Sequence, residues 1–93
     1  MRIADGQFGK KLGKHAVDFG LDPSNPQHRE AFRGIIEGIA GSPDKVVSGT
    51  FRGQGAVDFL IKGSDVVVSK GGDFVTILKG GVNNPSVLKA LGQ

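Results

Sequence analysis

The chain has 93 residues, of which 38% are hydrophobic and 16 are glycine, and this suffices for one modest core. Cysteine is absent, which excludes disulfides, thiolate nucleophiles and cysteine-based zinc sites. No apolar run approaches the ~20 residues that a membrane-spanning helix needs, so we predict no membrane span. The formal charge of +3 is mild, but Lys10, Lys11 and Lys14 lie close together. Such a cluster is typical either of a nucleic-acid contact or of a solvated helix face.

The first predicted helix covers residues 9–19 and ends at Gly20. Its apolar stripe consists of Phe8, Leu12, Ala16 and Phe19, which recur at helical spacing. Residues 1–8 are expected to be a disordered remnant of a linker. The whole chain, residues 1–93, is predicted to be a single domain.

A second helix is predicted over residues 26–40. Asn25 followed by Pro26 is typical of an N-cap and a first helical residue, and Gly41 provides a stop. Gly34 and Gly38 lie four residues apart in this helix, a spacing that would let another backbone approach closely.

The chain then changes to short β-branched and aromatic runs, which predict strands. The predicted strands are residues 46–51, 56–62, 65–69 and 74–79, joined by glycine-containing hairpin turns. Asn84 and Pro85 begin a last short helix. The pattern predicts an α+β fold in which two N-terminal helices pack on one face of a four-stranded antiparallel meander, followed by a short C-terminal helix.

His15 is the most informative residue for chemistry. Residues follow one another at about 100° around a helix, so His15 falls in the middle of the apolar stripe and is expected to face the sheet. Lys11 precedes it by one turn and Asp18 follows it at i+3. Such surroundings suit a general acid or base. A core histidine bound to a backbone carbonyl is the alternative that the pattern leaves open.

The remaining motifs narrow the possible reactions. No His, Asp and Glu residues have metal-ligand spacing on one element, so no metal and no cofactor is predicted. The serine-hydrolase elbow, the phosphate-binding P-loop and the dinucleotide fingerprint are all absent. RNA cleavage requires no nucleophile from the protein, because the substrate provides its own, the 2′-hydroxyl. A histidine and several lysines can supply the proton transfer and the cationic stabilisation.

The segment Lys-Leu-Gly-Lys-His-Ala-Val-Asp-Phe-Gly at residues 11–20 resembles the catalytic helix of the colicin D-type tRNA nuclease domains. These domains also occur as C-terminal toxins of contact-dependent inhibition and other polymorphic toxin systems. Three further segments fall in the same order as in the family: Ser-Pro-Asp at 42–44, Gly-Thr-Phe-Arg-Gly-Gln at 49–54 and Gly-Asp-Phe-Val-Thr at 72–76. The resemblance touches most of the chain from Lys11 onward.

The resemblance implies a metal-independent endoribonuclease that cuts a tRNA anticodon loop and leaves a cyclic phosphate and a 5′-hydroxyl. It also implies a shape related to barnase- and RelE-like ribonucleases. By matching positions, the implied catalytic residues are His15, Lys14, Lys11, Thr76 and Lys79. The residues that would contact RNA are Lys10, Thr50, Arg52 and Lys70. The chain has no Trp and no Tyr, so base stacking would fall to Phe or Arg.

The family further implies a cognate immunity protein that masks the basic surface, and a monomer or a 1:1 complex with that inhibitor. It implies delivery as part of a larger secreted or surface-bound protein, with action in the cytoplasm of the target cell. Two alternatives stay open. The first is a basic nucleic-acid-binding module without catalysis, and the second is a related toxin that cuts mRNA or ribosomal RNA.

Overall fold

The computed structural model describes all residues from Met1 to Gln93. Its three α-helices are α1 (Asp5–His15), α2 (Pro26–Gly41) and α3 (Pro85–Ala90), and its four strands are β1 (Lys45–Thr50), β2 (Ala56–Lys62), β3 (Asp65–Lys70) and β4 (Asp73–Leu78). A 3₁₀ turn, Ala16–Phe19, continues α1, and a second one, Gly81–Asn83, precedes α3. None of the helices has the length and apolar character needed to cross a membrane.

The strands form one antiparallel sheet in the order β1-β2-β3-β4, which confirms the predicted meander. Side chains alternate between the two faces of the sheet, and each face has its own core. The core under α1 and α2 contains Phe8, Leu12, Ala16, Phe32, Ile36, Ile39, Val67, Phe74 and Ile77. The core under α3 contains Phe51, Val57, Phe59, Ile61, Val66, Val68 and Val87. The prediction of two N-terminal helices on one face is therefore confirmed.

The start of the chain differs from the sequence-based expectation. The first helix begins at Asp5, because Phe8 is 5% exposed and packs in the core beneath it. Arg2 is tied to the β4 edge, where its N–H donates to the Gly72 carbonyl at 2.8 Å and its Nε donates to Asp73 Oδ1 at 2.6 Å. Residues 1–8 are therefore part of the fold, and the expectation of a disordered remnant is wrong for this structure.

The beginning of α2 follows the predicted capping chemistry. Asn25 Oδ1 accepts hydrogen bonds from the backbone N–H groups of Gln27 at 2.9 Å and His28 at 3.2 Å. These bonds satisfy two of the donors that a helix leaves free at its first turn. The helix ends at Gly41, one residue beyond the predicted end.

The tightly packed glycines are not the predicted pair in α2. A Cβ added at Gly34 or Gly38 would meet nothing within 4 Å, because both lie on the exposed face of α2. The predicted close approach at these residues is therefore wrong. At Gly81, by contrast, a Cβ would lie 2.8 Å from the Cβ of Leu78 and 2.9 Å from the Cβ of Val66.

This difference predicts opposite effects of the same substitution at two glycines. Gly38→Ala is expected to raise the free energy of unfolding by about 0.5–1 kcal/mol, because alanine favours the helix and nothing obstructs its methyl group. Gly81→Ala is expected to lower it by about 1–3 kcal/mol, because the methyl group overpacks the core. Urea denaturation followed by circular dichroism measures both values. Equal shifts of the two variants would contradict the difference in packing between Gly38 and Gly81.

Candidate functional site

A cleft of about 530 Å³ lies between the C-terminal half of α1 and the neighbouring edge of the sheet. We call it the basic cleft. It is lined by Gln7, Lys10, Lys11, Lys14 and His15 from α1, by Phe51, Arg52 and Gln54 from the β1–β2 segment, and by Val75, Thr76 and Leu78 from β4. The structure thus brings together six of the residues predicted from the sequence, namely Lys10, Lys11, Lys14, His15, Arg52 and Thr76.

The position of the charged side chains follows from the helical register of α1. Phe8 and Leu12 are buried against the sheet, and this fixes the rotation of the helix about its axis. Lys11 and His15 are one turn apart and lie beside the buried stripe, so both line the cleft. Lys14 lines it too, although it is exposed. The core packing of α1 therefore determines which of its polar residues reach the site.

The basic cleft contains four cations and no carboxylate among its lining residues. Burial lowers the pKa of the Lys11 ammonium, and the nearby charges of Lys14, Lys10 and Arg52 lower it further. Like charges are thus held together without an acidic partner in the cleft. Such an arrangement favours an anionic ligand that neutralises several cations at once.

His15 lies at the end of α1 with its side chain 17% exposed, so it is mostly withdrawn from solvent. Its Nδ1 is 3.0 Å from Oδ2 of Asp18, in the 3₁₀ turn that continues the helix. A carboxylate can only accept a hydrogen bond, so Nδ1 carries the hydrogen in this pair. Nε2 of the neutral ring is then the basic nitrogen, as proton transfer to or from a substrate requires.

Thr76 of β4 lines the cleft and has a buried side-chain hydroxyl. The residue is 2% exposed, and its buried Oγ1 has no hydrogen-bond partner in the protein. An unsatisfied buried hydroxyl costs about 1–3 kcal/mol. Because Thr76 lines the basic cleft, its buried hydroxyl lies directly beneath the surface of the cleft.

A β-bulge explains why Thr76 faces the cleft. The register between β3 and β4 shifts between Val68 and Ser69, which pair with Thr76 and Phe74, and this leaves Val75 without a partner. Without the extra residue, Phe74 and Thr76 would share one face of the sheet. With it, Phe74 stays in the core under α1 and α2 while Thr76 lies opposite Val68, on the other face.

Three predicted residues lie outside the basic cleft. Lys79 lines a separate hollow on the other side of His15, with its Nζ 5.2 Å from the centre of the Phe19 ring. Lys70 donates from Nζ to the backbone carbonyl of Gln54 and lines a neighbouring hollow. Both are therefore near the cleft without forming part of its lining.

Thr50 is the predicted RNA-contacting residue that the structure places elsewhere. It lies at the end of β1, which is the edge strand farthest from β4, in a groove with Ser86 and Lys89. The chain reaches the basic cleft only after Thr50, through Phe51 and Arg52. Thr50 and Arg52 were both predicted to contact RNA, but the structure places them at different surfaces of the sheet.

Sequence reasoning did not single out two glutamines of the cleft. Gln7 donates from Nε2 to the carbonyl of Val75 at 2.5 Å and so links α1 to the bulge of β4. Gln7 falls in the segment expected to be disordered, which hid its helical spacing of four residues from Lys11. Gln54 lies in a glycine-rich turn, where no sequence signal distinguishes a site residue from a turn residue.

No protein-family model, curated protein or solved structure matches this chain. No group of three or more His, Asp or Glu side chains is arranged to hold a metal ion. The resemblance to colicin D-type nucleases stays a prediction from the sequence.

Repulsion among the cations of the basic cleft predicts that Lys11 lowers the free energy of unfolding. Lys11→Gln is expected to raise Tm on the order of 1 °C at pH 7 and low salt, because it removes repulsion from Lys14 and Lys10. In the wild type, Lys11 loses its proton at a lower pH in the folded chain than in the unfolded chain. The unfolded chain therefore binds more protons than the folded chain at pH values between the lowered pKa of Lys11 and the ordinary lysine pKa of about 10.4. The free energy of unfolding should therefore rise with pH in that interval, and the rise should be smaller in the variant.

Thermal melts between pH 7 and pH 10 at low and high salt test this expectation. Lys62→Gln is the matched control, because Lys62 is exposed at the end of β2 and outside the cleft. A Tm for Lys11→Gln no higher than that of Lys62→Gln would show that the cluster exerts no net repulsion on the fold.

Proposed function

We propose that the protein is a metal-independent endoribonuclease toxin that cuts RNA by attack of the 2′-hydroxyl on the adjacent phosphate. The observation that carries the proposal is the composition of the basic cleft. It combines a histidine whose Nε2 is basic, four cations without a carboxylate, and a buried hydroxyl without a protein partner. Together these groups match a reaction that needs proton transfer and stabilisation of a pentavalent phosphorane.

The proposed reaction begins with His15. Its Nε2 takes the proton of the 2′-hydroxyl as O2′ forms a bond to phosphorus. The bond from phosphorus to O5′ then breaks, which leaves a cyclic phosphate on one fragment. O5′ takes up a proton and becomes the 5′-hydroxyl of the other fragment. Lys11 is the proposed donor, since its lowered pKa makes its ammonium a better acid than an ordinary lysine.

The other residues of the cleft bind and hold the phosphate. Lys14 and Arg52 are proposed to stabilise the charge that develops on the phosphorane, and Lys10 to contact a neighbouring phosphate. The Thr76 hydroxyl would donate to a phosphate oxygen and thereby gain the partner that the protein does not provide. Asp18 is a positioning residue, because it holds Nδ1–H and so fixes which nitrogen of His15 reacts.

The resemblance extends the proposal to substrate and partner. A tRNA anticodon loop is the proposed substrate, since unpaired nucleotides can be splayed out and enter the cleft, whereas those of a paired helix cannot. A cognate immunity protein is the proposed inhibitor, and an acidic surface on it would complement the cations of the cleft. Delivery as part of a larger toxin, and action in the cytoplasm of the target cell, complete the proposal.

The proposed ribonuclease activity is tested by replacing His15, the proposed general base. His15→Ala is expected to lower the rate of tRNA cleavage by about 10²–10⁴-fold, because that is the usual contribution of a positioned acid or base. The assay incubates purified protein with total tRNA in EDTA and maps the new ends for cyclic phosphate and 5′-hydroxyl. His28→Gln is the matched control, since His28 is the other histidine of the chain and lies outside the cleft.

The same comparison tests the non-catalytic alternative. A binding module would retain salt-dependent binding of RNA through Lys11 and Lys14, would cut nothing, and would be unaffected by His15→Ala. If the wild type leaves tRNA, mRNA and ribosomal RNA intact with and without divalent metal, the ribonuclease proposal fails. Cleavage of mRNA or ribosomal RNA alone would keep the chemistry and change the substrate.

The role of Asp18 is tested by Asp18→Asn. We expect kcat to fall about 10–10²-fold, because the amide no longer enforces the Nδ1–H tautomer, while KM for the RNA stays unchanged. Single-turnover cleavage measures the chemical step, and the NMR signals of the His15 ring report the tautomer in each variant. A loss confined to KM would mean that Asp18 affects RNA binding and not the orientation of the base.

A further inference from the structure

A second hollow, of about 320 Å³, lies on the other side of His15 from the α1 lysines. We call it the amide hollow. It is lined by His15, Asp18, Leu78, Lys79, Gly80, Gly81, Asn83 and Asn84. His15 and Leu78 line both this hollow and the basic cleft, so the two spaces adjoin at the histidine. A chain whose phosphate lies at His15 can therefore extend from one space into the other.

The charges of the amide hollow are unlike those of the basic cleft. Its lining has one carboxylate, Asp18, and one ammonium, Lys79, where the cleft has four cations and no acid. The Lys79 ammonium also lies 5.2 Å from the centre of the Phe19 ring, where the ring attracts it. A hollow with balanced charge is a poor site for a phosphate and a suitable one for an uncharged polar group.

The polar groups of the hollow are those that read nucleobases. Asn83 is exposed and its amide makes no hydrogen bond within the protein, whereas Asn84 Oδ1 accepts from the Ser86 N–H at 2.9 Å. An asparagine amide offers a donor and an acceptor side by side, which matches the edge of a base. Gly80 adds no side chain, and a Cβ placed there would meet nothing within 4 Å, so the wall beside Asn83 is open.

The segment that presents Asn83 is held by hydrogen bonds to the sheet and within its own turn. The Gly80 N–H donates to Asp65 Oδ1 at 2.9 Å, and the Val82 N–H donates to the Ser64 carbonyl at 3.2 Å. The Asn83 N–H donates to the Gly80 carbonyl at 3.1 Å. A fixed backbone with a free amide is the arrangement expected of a specificity residue, because little ordering is needed on binding.

We propose that the amide hollow is a nucleobase subsite, in which Asn83 reads the base next to the phosphate held at His15. This proposal builds on the proposed ribonuclease function, since it names the part of the site that would choose the sequence. Binding of the base needs no cleavage, so the subsite can be tested whether or not the protein cuts RNA.

The test is an NMR titration of ¹⁵N-labelled protein with the four nucleoside 3′-monophosphates and with inorganic phosphate. Phosphate alone should shift signals of the basic cleft, and the nucleotides should in addition shift the Asn83 side-chain amide and the Gly80 N–H. The best base should bind at least about fivefold more tightly than the worst, which is the lower end of what a matched amide contact provides. In Asn83→Ala this ratio should fall below about twofold, because the amide that discriminates between the bases is gone.

The matched control is Gln27→Ala, which removes another exposed amide, on α2, and should keep the wild-type ratio. Four equal affinities in the wild type, or an Asn83 signal that responds no more to nucleotides than to phosphate, would overturn the subsite. If RNA is cut but the bases bind equally, the subsite fails and the ribonuclease stands. If the bases bind selectively but no RNA is cut, the ribonuclease fails and the subsite stands.

Discussion

Phe8 and Leu12 of α1 and Ala16 of the 3₁₀ turn that continues it form one narrow stripe buried against Phe74 and Ile77 of β4. The three residues are 5%, 2% and 0% exposed, respectively. This contact fixes both the rotation of the helix and its position along the sheet edge. Lys11 directly precedes Leu12, and His15 directly precedes Ala16. Each therefore lies on the flank of the buried stripe and faces the sheet edge. The chemistry of the site is thus set by a hydrophobic contact, and α1 depends on that contact because Gly6, Gly9 and Gly13 weaken its intrinsic helicity.

Three local features of the basic cleft are unfavourable for folding when considered alone. The Lys11 ammonium is partly buried beside other cations, and the Thr76 hydroxyl is buried without a partner. Arg52 has a φ of 25°, a backbone conformation that residues other than glycine rarely adopt. Features of this kind persist where the rest of the fold stabilises them, and they concentrate at functional sites. Their occurrence in one cleft supports a site built for an anionic ligand more strongly than any one of them does.

The periodic parts of the fold were predictable because one local signal determines each of them. The β-branched and aromatic run at residues 56–62, bounded by glycine-containing turns, predicted both ends of β2 correctly, and Asn25 with Pro26 predicted the start of α2. The start of α1 was not predictable in this way. Its first turns are rich in glycine, and only the burial of Phe8 in the tertiary structure extends the helix to Asp5. Local propensity and tertiary packing disagree there, and packing prevails.

The helical side of the site was predicted from one segment, whereas the strand side could not be. Helical spacing placed Lys11 one turn before His15, but it left a core histidine open, and only the resemblance implied catalytic roles for His15, Lys11 and Lys14. The spacing argument also put His15 in the middle of the apolar stripe, whereas the structure places it on the flank. The orientation of Thr76 depends on the bulge at Val75, a one-residue irregularity that reverses which face every later side chain of β4 occupies. A regular strand would have placed Thr76 in the core with Phe74. No property of the isolated β4 sequence marks the bulge, because it depends on the pairing with β3.

Under the proposed function, the distribution of charge assigns phosphate binding and base recognition to different surfaces. Four of the twelve bases line the basic cleft, and the bases elsewhere are nearly balanced by the nine acids of the chain. The attraction for a polyanion is therefore local to the cleft, where it positions a phosphate without distinguishing one sequence from another. Discrimination between bases requires uncharged donors and acceptors beside that phosphate, and the amide hollow supplies them across His15. His15 thus lies at the boundary between a surface suited to the RNA backbone and a surface suited to a base. The reacting phosphate of a bound strand would have to lie at this boundary.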